Sequence, residues 1–342
     1  MRLGFAVKVL GRPATPSNDA RRWQSEPHLR ISLQYLQVIF DYLAEAGIAM
    51  YRISSDLAPY VTHPDLPQFH RQIDECAVEL AELGARARTQ GLRLSFHPSQ
   101  YILLNSPDPV LTAKSIADLV AQAHILDAME LGPEAVLVTH VGGVYGDLVS
   151  GRARWVQTYE RLPEPVRRRL VLENDDVRYD VSDVLWIHER TGVPLVFDYL
   201  HHWCLDRQGR DMHAALAACL ATWPADLRPK IHFSSPRTEI RTLERKNKQG
   251  KVEKVQAPPI WTGHSDYINP FEFISFLRGT TELPPFDVML ESKLKDIALL
   301  QLRDDLAKYG SDVAARFDNT DTAHRTSAPR RQTVISNVEG AE

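Results

Sequence analysis

The chain has 342 residues, 44% hydrophobic and 25% charged, with a formal net charge of −4 and a pI of about 6.4. These values belong to an ordinary globular protein and exclude a globally basic nucleic-acid-binding surface, so any cationic footprint must be local. Cys76, Cys204 and Cys219 form no CxxC pair, which excludes a disulfide framework or a thiolate zinc knuckle and fits a reducing cytoplasm. The N-terminal MRLGFAVKVL is too short and interrupted for a signal peptide. No run of about 18 apolar residues occurs, so a cytoplasmic protein without membrane spans is expected.

Short apolar runs alternate with helix-period segments along the chain. Leu3–Val9 reads as a strand, Ile31–Ala46 as a helix, Met50–Ile53 as a strand and Gln68–Gln90 as a helix. Leu92–Phe96, Pro109–Leu131, Ala135–Thr139 and Arg152–Arg161 repeat the alternation. So do Leu170–Leu172, Val181–Thr191, Pro194–Phe197 and Met212–Ala221. Lys230–Phe233, Pro270–Leu277, Phe286–Leu290 and Lys293–Lys308 complete it. Continuous apolarity suits strands buried on both faces, as in a parallel sheet. Eight such units close most naturally as a single-domain (β/α)8 TIM barrel over residues 1–310. Two stretches depart from the pattern. Arg237–Lys254 holds seven basic and three acidic residues in the long connection after strand seven, and reads as either a solvated loop or a phosphate-contacting arm. Residues 311–342 are polar and aperiodic and are expected to be a disordered tail.

Chemistry gathers at the strand ends. His97 follows strand three, His140 strand four, Glu173 strand five and Asp198 strand six, with His201 three residues on. Strand seven carries Lys230 and His232, strand eight is followed by Glu291, and His264 lies in the connection after strand seven. A barrel brings its C-terminal strand ends to one mouth. Charged groups crowded there are costly unless neutralised, and divalent cations would neutralise them. Imidazoles and carboxylates without thiolates suit Mn²⁺, Zn²⁺ or similar ions. Glu173 can bridge two ions through its two oxygens, and His201 can reach a second ion beside Asp198. Clustered ions serve phosphodiester hydrolysis by making hydroxide available near neutral pH and stabilising the attacking and leaving oxygens.

The strings FHPSQY (96–101), THVGG (139–143), LEND (172–175), FDYLHH (197–202), KIHFSS (230–235) and MLESK (289–293) resemble, in order, those of the UV damage endonucleases. That family is related to endonuclease IV. The resemblance spans about residues 2–300 and implies a (β/α)8 barrel that hydrolyses duplex DNA immediately 5′ of a flipped-out UV photoproduct. It implies about three divalent ions, manganese foremost, with zinc or cobalt as alternatives. It assigns His97, His140 and Glu173 to one ion, Glu173, Asp198, His232 and Glu291 to a second, and His201 and His264 to a third. It adds Lys230, which can be carboxylated, and His63 as active-site residues. Gln100 and Tyr101 match the pair that reads the lesion. It also implies a monomer with no obligate protein partner. Where members of that family carry an asparagine after the first strand, this chain has Lys8-Val9-Leu10. Other readings are an abasic-site endonuclease of the endonuclease IV type, a metal-dependent sugar isomerase or epimerase, and a non-catalytic lesion-binding protein.

Overall fold

A computed structural model describes residues 1–12, 15–247 and 249–317. Its main sheet comprises β1 (Leu3–Ala6), β2 (Met50–Ile53), β3 (Arg93–Phe96), β4 (Val136–His140), β5 (Leu170–Glu173), β6 (Leu195–Val196), β7 (Lys230–Phe233) and β10 (Asp287–Leu290). Between β7 and β10 lie β8 (Arg241–Lys246) and β9 (Val252–Ala257), an antiparallel pair outside that sheet. The main sheet is parallel, in the order β6-β5-β4-β3-β2-β1-β10-β7. A parallel bridge between Asp198 and His232, with His232 N donating to Phe197 O at 2.9 Å, joins its two ends. The expected (β/α)8 barrel is therefore the fold. Among the described residues, no helix is long and apolar enough to cross a membrane.

Strand parity decides what faces the barrel axis. Leu94, Phe96, Leu170, Leu172, Ile231, Phe233, Val288 and Leu290 join the large cluster packed against the outer helices. Val136, Val138, Val171 and Val196 form a separate cluster with Trp223. A strand turns successive side chains to opposite faces, so this second set fills the barrel. The same parity turns Arg93, Ser95, Glu173, Asp198, Lys230, His232 and Asp287 inward, and every one of them is buried.

Short polar caps start the helices on the mouth side. Asp108 with Pro109, Asp147, Asp180, Asp211 and Asn269 with Pro270 each accept backbone N–H bonds at a helix N-terminus, satisfying donors that lack intrahelical partners. Two expectations change. The basic connection contains the β8–β9 hairpin rather than an open loop. The expected tail is ordered at its start: Ser311–Ala314 is helical, Val313 is buried, Phe317 packs against the core, and Asp312 accepts from Arg278 at 2.9 Å. These apolar contacts extend the ordered chain past residue 310; residues 318–342 lie outside the described residues.

Candidate active site

Glu173, ending β5, is the hub of the mouth. Its Oε2 lies 3.0 Å from His97 Nε2 and 3.7 Å from His140 Nε2. Its Oε1 lies 2.9 Å from His232 Nδ1 and 3.5 Å from His201 Nδ1. Glu291, after β10, places Oε1 3.3 Å from His232 Nδ1 and Oε2 3.8 Å from His264 Nδ1. Asp198 caps the helix Tyr199–Cys204, its Oδ1 accepting from His201 N at 2.8 Å. The fold thus gathers His97, His140, Glu173, Asp198, His201, His232, His264 and Glu291 into one cavity, although they span nearly 200 positions of sequence. Potential ligand atoms of His97, His140 and Glu173 lie within 4.8 Å of one another, as do those of Glu173, Asp198, His232 and Glu291.

The donor set fits cations on grounds beyond proximity. Asp198 Oδ2 is buried without a hydrogen-bond partner, which costs about 1–3 kcal/mol unless something satisfies it. Three imidazoles are also oriented from behind. Nδ1 of His97 donates to Pro98 O at 3.1 Å, that of His201 to Asn174 O at 3.0 Å, and that of His264 to Glu291 O at 2.7 Å. A proton fixed on Nδ1 leaves Nε2 as the lone-pair atom, the arrangement typical of a metal-ligating histidine.

Burial sets the electrostatics. It pushes the Glu173 carboxyl well above its usual range, and the Glu291 and Asp198 charges add to the push. It pushes His97, His140 and His232 down, towards the neutral form that ligates. For His201, burial is outweighed by the Asp198 and Glu291 carboxylates, which raise it. Burial likewise opposes ionisation of Glu291, yet the Arg52 guanidinium, ion-paired with it, holds it well below its usual range. Three carboxylates and five imidazoles thus share one mouth, and among the described residues Arg52 is the guanidinium ion-paired with them.

Other expected residues fall outside the cluster. Gln100 and Tyr101 sit exposed on the rim after His97, with Tyr101 76% exposed. Gln100 lines a cavity of about 220 Å³ together with Ser99, His140, Asp175, Asp176 and His201. His63 is exposed and lines a neighbouring cavity of about 710 Å³, whose wall shares Ser99 and Ile102 with the first. Its contacts are with Tyr60, Asp65 and His70. Lys230 is fully buried, its Nζ donating to Ser95 Oγ at 3.0 Å.

Arg52, Ser95 and Asn174 were not singled out from sequence. Asn174 ties the ends of β5 and β6 together, accepting from Asp198 N at 2.9 Å and donating to Asp198 O at 3.2 Å. Its place in LEND, directly after Glu173, was the available signal. Arg52 offered one too, as a charge within the otherwise apolar MYRI strand.

Comparison with known proteins is consistent along the chain. The family model described as "UV-endonuclease UvdE" matches residues 28–316. A UV DNA damage endonuclease of Bacillus velezensis is 33% identical over 268 residues, 78% of this chain and 77% of that protein. One from Bacillus mycoides is 34% identical over 274 residues, 79% of each. The crystal structure of SacUVDE superposes with a TM-score of 0.73 at 29% identity, covering 90% of this chain and 98% of that one. A D-psicose 3-epimerase of Clostridium cellulolyticum shares the barrel alone, with a TM-score of 0.52 at 11% identity. With its ligand-like cluster at the barrel mouth and this match across most of its length, the chain belongs to the UV-endonuclease UvdE family.

Proposed function

We propose that the protein is a metal-dependent endodeoxyribonuclease that nicks duplex DNA immediately 5′ of a UV photoproduct, leaving a 3′ hydroxyl. The observation that carries this reading is the convergence of three buried carboxylates and five buried or half-buried imidazoles on one mouth, with an unsatisfied ligand atom on Asp198. In the proposal, His97, His140 and Glu173 hold one divalent ion, and Glu173, Asp198, His232 and Glu291 a second. His201 and His264 serve a third. Manganese is the proposed ion, with zinc or cobalt as substitutes. When bound, such ions supply hydroxide near neutral pH and stabilise charge on the attacking and leaving oxygens.

The chain's own residues do the positioning. Arg52 keeps Glu291 ionised and aimed at His232. Lys230 is held well below its usual range by burial, reinforced by the Arg93 and Arg52 charges, a shift that favours the neutral amine and lessens its repulsion of cations. A neutral amine is also the form that adds carbon dioxide, which is the modification the family resemblance implies. Gln100 and Tyr101 stand where extruding a dimer would leave a gap. A crosslinked dipyrimidine pairs weakly and so costs less to flip out. The ring can stack in the gap, and the amide can bond the unpaired partner bases. His63, apart from the cluster, takes no part in this proposal.

The test is a mapped cleavage assay on an end-labelled duplex carrying one cyclobutane dimer, with and without Mn²⁺, beside an abasic duplex. A Mn²⁺-dependent nick directly 5′ of the dimer supports the proposal. Cleavage of the abasic duplex alone, or turnover of a ketose without any nicking, overturns it.

A further inference from the structure

In the connection between β7 and the helix Pro270–Arg278, the proposed chemistry uses His264 but not residues 237–254 before it. Residues 237–254 hold seven basic and three acidic side chains, a local balance of +4 in a chain whose total is −4. Positive charge is therefore concentrated on one projection from an otherwise acidic molecule.

That projection is rooted at the mouth. Ser265 N donates to Ser235 O at 3.0 Å, Pro236 bridges antiparallel to His264, and Arg237 N donates to Gly263 O at 2.7 Å. The same pairing direction resumes in β8 and β9, with register from Arg241↔Ala257 to Lys246↔Val252. Asn247 closes the tip, its Oδ1 accepting from Lys251 N at 3.0 Å. Six residues at a rise of about 3.4 Å give paired arms of about 20 Å. Arg245, Lys246, Lys251 and Lys254 are exposed, and among the described residues none of them forms an ion pair. Cross-strand Leu243 and Val255 are the hairpin's half-buried apolar pair. A lone two-stranded hairpin is marginal in water, so a cationic one beside the mouth calls for a polyanionic surface to lie on.

We infer that the β8–β9 hairpin is an arm that lies along the phosphate backbone of duplex DNA beside the barrel mouth. It supplies affinity that is independent of sequence and of the lesion. The inference rests on the reading that the mouth acts on DNA. An arm of this length follows about six base pairs at about 3.4 Å each, far enough to hold duplex that flanks the lesion.

The experiment compares wild type with the variant Arg245→Gln/Lys246→Gln/Lys251→Gln/Lys254→Gln, both reconstituted with Mn²⁺. Binding to an undamaged 30-base-pair duplex is followed by fluorescence anisotropy across a KCl series. Four lost phosphate contacts should make the slope of log K against log[salt] shallower by roughly 3–4. They should weaken low-salt binding by about tenfold or more. On the dimer duplex the variant should show a raised KM with kcat within about twofold of wild type, because phosphate contacts position the DNA without reading it. Lys246→Arg/Lys251→Arg/Lys254→Arg should keep the wild-type slope, and coincident melting curves establish that all variants fold. An unchanged slope in the glutamine variant, with wild type nicking normally, overturns the arm alone. A shallower slope in a protein whose wild type never nicks the dimer duplex supports the arm and overturns the endonuclease reading.

Discussion

Asp287→Asn is expected to destabilise the protein severely while leaving the mouth intact. Asp287 begins β10 at the end of the barrel opposite the mouth and is fully buried. Its Oδ2 accepts from Arg93 at 2.9 Å and from the Arg2 guanidinium at 3.1 Å, and its Oδ1 accepts from Arg2 N at 2.8 Å. Arg93 is itself buried, lies over Trp223, and has one amino group with no partner. Two unit charges 2.9 Å apart attract by about 6 kcal/mol at an effective dielectric of about 20, an attraction that offsets the burial of both. Neutralising one partner leaves the other charge uncompensated, at a typical loss of about 3–5 kcal/mol. At about 2–4 °C per kcal/mol for a chain of this size, Tm should fall by roughly 6–20 °C. The assay is thermal and urea unfolding of both proteins at pH 7, with nicking per folded molecule measured well below either Tm. A stability loss under about 1 kcal/mol would refute the claim that Arg93 depends on this carboxylate. Loss of nicking in the folded variant would refute the separation of barrel floor from mouth.

Glu173→Gln should act in the opposite sense. It removes a charge that burial disfavours, so the cation-free protein should melt at the same temperature or higher, while Mn²⁺-induced stabilisation and nicking fall by at least about 100-fold in apparent affinity and rate. Differential scanning fluorimetry with a Mn²⁺ titration reads both. Tyr101→Ala should leave Tm unchanged, because the ring is 76% exposed, yet reduce discrimination of dimer over undamaged duplex by about 1–3 kcal/mol in competition binding. Hydrogen bonds from the Arg21 guanidinium hold the Asp19 carboxyl below its usual range. Its stabilising contribution is therefore complete above the ordinary carboxylate pKa and lost as pH falls through the depressed one. Asp19→Asn should lower stability at neutral pH and flatten the acid limb of a urea-midpoint series from about pH 5 to about pH 3. An acid limb as steep as that of wild type would remove Asp19 from the account.

Much of this architecture was legible because parallel strands advertise themselves. Runs such as Leu92–Phe96 and Lys230–Phe233 are buried on both faces, and six of the eight strands then deliver a titratable residue to one rim at or near their ends. What was hidden lacked that signature. The β8–β9 hairpin alternates charges on both faces around the single apolar pair Leu243 and Val255, so nothing in its pattern separates it from a solvated loop. The helix Tyr199–Cys204 leaves no periodic trace over its six residues, because its start is set by Asp198 acting as a cap. Arg52 stands out as a charge within an apolar strand, but only closure of the barrel sets it against its partner Glu291. Residues 311–317 read as polar tail, yet Val313, Ala314 and Phe317 pack on the core. His63, which the resemblance adds to the active-site residues, lines the neighbouring cavity, a placement set by the chain path after β2.

The most direct measurement is the metal content of the purified protein after reconstitution with Mn²⁺ and desalting, read by mass spectrometry alongside dimer-duplex nicking in the same sample. The expected result is about three equivalents per chain, reduced by at least one in Glu173→Gln, with nicking lost on chelation and restored by Mn²⁺. A wild-type protein that retains no divalent transition metal and still nicks beside the dimer in excess chelator would contradict it.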